Sequence, residues 1–146
     1  MPGCPFIYRR AFARLTALLL LLPLFSFGCN RGNHVGGTPS TDDVAEIWED
    51  AGLTLTEAKP VDARRYGAGY CSTGRVSGVE VLICEFSTDG QLENAKRQLQ
   101  AEWNSNALET AVAMQAKRTL VALVDRANAD RDGRTMSKLL AAVRKL

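Results

Sequence analysis

The sequence predicts a small α+β domain, an antiparallel sheet of two hairpins with about three helices packed on it. Apolar residues recur at helical spacing in three separate stretches, beginning near residues 41, 89 and 135. Between them lie two β-branched segments, each broken by a short polar turn. The order helix, hairpin, helix, hairpin, helix suits helices covering one face of an antiparallel sheet.

Ser40 or Thr41 can cap the first helix, with Asp42 and Asp43 near the positive end of its dipole. Val44, Ile47, Trp48 and Ala51 then form one apolar stripe, in which Trp48 reads as a core anchor, and Gly52 ends the helix. Residues 53–56 alternate as a short strand. Pro60, which cannot donate to a ladder, makes the stretch up to Gly69 a loop or a sheet edge.

The first hairpin is specified most closely. Residues 70–76 and 79–86 flank Ser77-Gly78, a turn dipeptide. With those two residues as the loop, Val76 faces Val79, Arg75 faces Glu80, Thr73 faces Leu82 and Cys71 faces Cys84. One register thus supplies an apolar pair, an opposite-charge pair and a cysteine pair. Alternation outward from the turn puts the cysteines at a non-hydrogen-bonded position. Their Cα atoms are then expected about 4.5 Å apart, within reach of a disulfide. Closing so short a loop contributes about 2–3 kcal/mol in the chain-entropy account. Val76, Val79, Val81 and Ile83 share one apolar face.

Thr88 and Gln91 match a capping box, followed by a stripe of Leu92, Ala95, Leu99 and Trp103. Residues 108–126 admit two readings. Alanines and Glu109 suit a long helix, whereas Thr110, Val112, Thr119, Val121 and Val124 around a polar turn favour a second hairpin, which would enlarge the sheet. Met136, Leu139, Leu140 and Val143 define a last amphipathic helix, with Thr135 as its expected cap.

The first 28 residues read as an export signal. Arg9, Arg10 and Arg14 precede an uncharged run, residues 15–27, broken by Pro23. That run has the length of a signal-peptide core and falls short of the roughly 20 residues a spanning helix needs. Gly28 and Cys29 follow directly. Here the chain resembles the bacterial lipoprotein signal, in which a small residue precedes a cysteine that becomes lipidated; Ser26 and Phe27 stand where that pattern has Leu and a small residue. The resemblance covers the leader alone and implies lipidation of Cys29; simple cleavage and release is the alternative. Arg9-Arg10 also resembles a twin-arginine signal, although the leucine-rich core better suits the general secretory route. Residues 29–39, polar and Gly-rich, read as a flexible tether, and residues 40–146 as the single folded domain. The domain resembles small exported proteins of unknown function, which assigns no site residue.

Charge and motifs narrow the function classes. Eighteen basic residues less the three leader arginines leave 15, against 16 acidic, so the mature chain is near neutral. No basic stripe interleaved with aromatics appears, which argues against nucleic-acid binding. His34, the single histidine, lies in the expected tether, so no His-based triad or zinc site can be assembled. Gly67-Ala68-Gly69 opens like a dinucleotide fingerprint but leads into a strand, and Ser72 replaces the third glycine. Arg64-Arg65 could meet a small anion. Asn128, Asp130 and Asp132, with Gly133, open like a calcium loop, but Leu139 occupies the closing Glu position. Tyr66, Tyr70 and Phe86 lie at the open end of the first hairpin and could form an exposed patch for a partner.

These observations predict a non-catalytic accessory or binding lipoprotein of the cell envelope. It would face the periplasm or exterior, held to the membrane by lipid and acting through contacts with an envelope protein, without a cofactor. A small-ligand or calcium-binding module is the alternative.

Overall fold

The computed structural model describes residues 34–104 and 110–146, apart from the side chains of residues 103, 104 and 110. The export signal, Cys29, the start of the tether and the core role of Trp103 fall outside the described residues.

The elements run α1 (Thr41–Asp50), β1 (Thr56–Pro60), a 3₁₀ turn (Ala63–Tyr66), β2 (Tyr70–Val76), β3 (Val79–Glu85), α2 (Asp89–Asn104), β4 (Thr110–Ala116), β5 (Thr119–Asp125) and α3 (Arg134–Val143). The five strands form one open antiparallel sheet in the order β1-β2-β3-β5-β4. The fold is α+β, and residues 108–126 contain the second hairpin.

The β2–β3 register is the one that the turn and pairing rules require: Cys71 opposes Cys84, Thr73 opposes Leu82 and Val76 opposes Val79. Ser77 and Gly78 both take positive φ, 50° and 88°. That conformation matches the right-handed twist of the flanking strands in a two-residue hairpin. Cys71 and Cys84 form a disulfide with Cα atoms 4.2 Å apart. Across the same strands, Arg75 lies 3.9 Å from Glu80. Lys117 takes positive φ at the equivalent turn of β4–β5.

The layering departs from the expectation of helices on one face. One core layer joins Val44 and Trp48 of α1 and Met136, Leu139 and Val143 of α3 to Val76, Val79, Val81, Ile83, Val121 and Leu123 of the sheet. A second joins Phe86 and Leu92, Ala95 and Leu99 of α2 to Cys71, Cys84, Leu120 and Ala122 on the opposite face. The reason lies in β5: Leu120–Val124 is apolar on every residue and buried throughout. A strand that is apolar on both sides needs cover on both sides. The sheet is therefore the middle of three layers.

Local signals explain the helix ends. Ser40 caps α1 and forms a reciprocal capping box with Asp43. Thr88 and Gln91 form the expected box ahead of α2. At α3 the capping residue is not Thr135: Asp130 accepts the backbone N–H groups of Thr135 and Met136 instead. Trp48 is fully buried and donates its indole N–H to Leu139 O at 3.2 Å, tying α1 to α3. The short strand lies at Thr56–Pro60 rather than 53–56, because Leu53 turns into the core behind α1. It is an edge strand, as Pro60 demands.

Candidate functional site

Glu85 ends β3 on the face shared by Val79, Val81 and Ile83, and it is fully buried. A carboxyl group in that position needs hydrogen-bond partners. It finds them in the segment before α1. The backbone N–H of Val35 donates to Glu85 Oε2 at 2.8 Å, and that of Thr41 to Oε1 at 2.9 Å. His34 Nδ1 lies 2.7 Å from the same Oε1. Ser72 on β2 extends the network by donating to Thr41 Oγ1. Residues 34–39, which the sequence reading assigned to a flexible tether, are thus docked as a strap.

The rest of the strap is held by the β4–β5 turn. Thr38 Oγ1 accepts the backbone N–H of Arg118 and lies 2.7 Å from Thr119 Oγ1. Thr119 also hydrogen-bonds Pro39 O. The Arg118 guanidinium donates to Ser87 O and Gly36 O, so it pins strap and β3–α2 loop together. Gly69 leaves room for the strap: a Cβ there would lie 2.5 Å from Val35 Cγ2. His34, expected to be a free tether side chain, packs against Tyr70 with ring centroids 4.7 Å apart and the rings tilted by 57°, and its Nε2 lies 3.8 Å from Asp42 Oδ2. Burial pushes the Tyr70 hydroxyl pKa up, and the charges of Asp42 and Glu85 add to the shift. The network ties the strap and the start of α1 to the sheet, and its hydroxyls Thr41 and Ser72 are buried.

The three aromatics of the expected partner patch do not come together. Phe86 is fully buried under α2. Tyr66 packs against that same layer from the 3₁₀ turn, whereas Tyr70 joins the strap.

Tyr66 instead borders a different surface. A groove of about 380 Å³ opens beside α2 on the same face of the sheet. Leu82, Ala122 and Val124 form its floor, and Leu99, Tyr66 and Val61 its walls. Its rim carries both signs of charge. Arg65 Nη2 lies 3.3 Å from Glu102 Oε1 on one side, and Arg126 Nη1 lies 2.9 Å from Glu80 Oε2 on the other. The arginine pair read as a possible anion site therefore contributes Arg65 to an ion pair. A second groove, about 530 Å³, runs between the strap and α1, with Asp43, Glu46, Asp50 and Lys117 around Ile47. Three carboxylates and one lysine line it, and Ile47 is the one apolar side chain of α1 at the opening.

The calcium-like loop is built for another purpose. Asp125 accepts the backbone N–H groups of Ala129 and Asp130, and both oxygens of Asp130 accept N–H groups opening α3. Burial raises the Asp130 pKa, but the donors Met136, Thr135 and Arg134 outweigh it and leave the carboxyl below its ordinary value. Asp132 points to Arg134, at 3.8 Å. Both Asp130 oxygens are thus occupied by backbone donors, and among the described residues no three His, Cys, Asp or Glu side chains converge on a metal-sized site.

No protein-family model, curated protein or solved structure matches the chain.

Proposed function

We propose that this protein is a non-catalytic, envelope-anchored binding lipoprotein whose groove beside α2 seats an extended segment of an envelope protein. The observation that carries the reading is the groove itself, with its apolar floor of Leu82, Ala122 and Val124 between the Arg65–Glu102 and Arg126–Glu80 pairs. Apolar residues of the guest would supply affinity on the floor, and the charges of both signs would fix its register at the rim. The Cys71–Cys84 disulfide, stapling the strands that lead to the floor, suits a binding platform in an oxidising compartment. A lipid on Cys29 would concentrate the domain at the membrane and lower the intrinsic affinity it needs.

Site-specific photo-cross-linking in intact envelopes tests the proposal. A photoreactive residue at Thr73, beside the floor, is expected to capture one protein adduct, and Leu82→Lys is expected to abolish it. The same probe at Glu46, on the other face of the sheet, serves as control. Equal capture at both positions, or substrate turnover by the purified domain that Leu82→Lys abolishes, would overturn the reading.

A further inference from the structure

The docked strap changes how far the domain can move from its anchor. With residues 29–39 as a free tether, ten peptide steps would allow a reach of about 35 Å. The strap is fixed from His34 onward by Glu85 and the β4–β5 turn. Only five peptide steps separate Cys29 from His34, a reach of at most about 17 Å.

The attachment point also has a definite place. His34 lies at Tyr70, the first residue of β2, and at Glu85, the last of β3. The register puts the start of β5 and the end of β4 at this same end of the sheet. The Lys117-Arg118 turn and the N-termini of α1 and α2 are therefore there too. The Ser77-Gly78 turn and the loop from β5 to α3 lie at the opposite end. Seven-residue strands such as β2 and β3 separate the two ends by about 23 Å.

That separation exceeds the leash. Turning the domain over would require the chain to run from the bilayer up the whole sheet to His34, about 23 Å, with only about 17 Å available. We propose that the strap makes the bilayer an oriented partner surface. The Lys117-Arg118 end stands on the membrane, and the Ser77-Gly78 end, with the groove residues Glu80, Val124 and Arg126 beside it, is presented away from it. This rests on lipidation of Cys29, as proposed above.

The test uses full-length protein processed by its host, purified with the disulfide intact and reconstituted into phosphatidylethanolamine–phosphatidylglycerol vesicles carrying a headgroup-linked energy-transfer acceptor. Donor dyes are placed singly through Gly90→Cys, near the strap end, and Asp132→Cys, at the far end. A Cβ at Gly90 meets nothing within 4 Å, and Asp132 is exposed. The donor at 90 is expected to be strongly quenched and the donor at 132 weakly. Inserting twelve Gly/Ser residues after Asn30 leaves the folded residues intact and is expected to bring the two efficiencies together. Equal efficiencies in the uninserted protein, with the mass of the N-terminal peptide showing a lipidated Cys29, would overturn the orientation alone. An unmodified N-terminus and protein absent from the vesicle fraction would overturn the anchor as well.

Discussion

Replacing Glu85 by Gln should unlock the strap while leaving the sheet standing. The carboxylate accepts on both oxygens: Thr41 N and His34 Nδ1 on Oε1, Val35 N on Oε2. Glutamine keeps the shape but has one acceptor oxygen, so its NH₂ must face one of the two backbone N–H donors. A buried donor left without a partner costs about 1–3 kcal/mol, and hydrogen bonds to a charged acceptor contribute about 1.5–3 kcal/mol. A loss of about 2–3 kcal/mol for the closed strap follows, which corresponds to roughly 30- to 150-fold in its opening equilibrium. Because the strap precedes the first helix, it can open locally and let water satisfy Val35, so global unfolding should respond less. Native-state hydrogen exchange resolves the two. Protection at the Val35 and Thr41 amides should fall by that factor, while the amides of Ile83 and Val121 change little. Unchanged protection at Val35 and Thr41, or a uniform loss that includes β3 and β5, would refute the reasoning. Gly69→Ala provides an independent route, since its Cβ would meet Val35 and leave Glu85 intact.

Three further outcomes follow from the core and the caps. Trp48→Ala should destabilise the domain by about 3–5 kcal/mol in urea unfolding, and Trp48→Phe by less, because the larger part is cavity and the remainder the lost bond to Leu139 O. Replacing Cys71 and Cys84 together by Ala should lower stability by about 2–3 kcal/mol, with the β2–β3 register retained in the chemical shifts of the variant. In acid, stability should fall as the pH drops below about 3.8. The Asp43 carboxyl is held below that ordinary value chiefly by the backbone N–H of Ser40, and Asp130 is held low by the amides opening α3. Carboxyls with depressed folded pKa values contribute fully above the unfolded value and lose the contribution as they protonate in the fold. Asp130→Asn should flatten the acid limb of a melting-temperature profile, and an unchanged limb would count against the cap.

Much of the fold was legible because it is written in local terms. Helix stripes, the Thr88–Gln91 box and the two-residue turn at Ser77-Gly78 act over a few residues, and the turn fixes the cysteine pairing by counting. The three-layer arrangement has its signal in Leu120–Val124, whose unbroken apolar run leaves no solvent face, but such a run fits a buried helix as well as a strand until its pairing is known. Glu85 carries a signal of the same local kind: extending the alternation of Val79, Val81 and Ile83 by one step puts a carboxylate on the core face, but its partners lie about 50 residues away in the chain. Tyr66, Tyr70 and Phe86 all lie at the open end of the first hairpin, but the strand pleat and the 3₁₀ turn send them to different surroundings.

By itself the sequence determined the three helices, the first hairpin's register and the disulfide, because each follows from periodicity or from counting outward from a two-residue turn. Tertiary structure alone decided that residues 34–39 are part of the folded body. Their composition is that of a linker, with no apolar periodicity to mark them, and what holds them is a set of hydrogen bonds to Glu85, Arg118 and Thr119, 50 to 82 residues away in the chain. A buried carboxylate specifies such partners only once the strands around it have formed, since it is the loss of water on folding that makes the backbone N–H groups of the strap worth capturing.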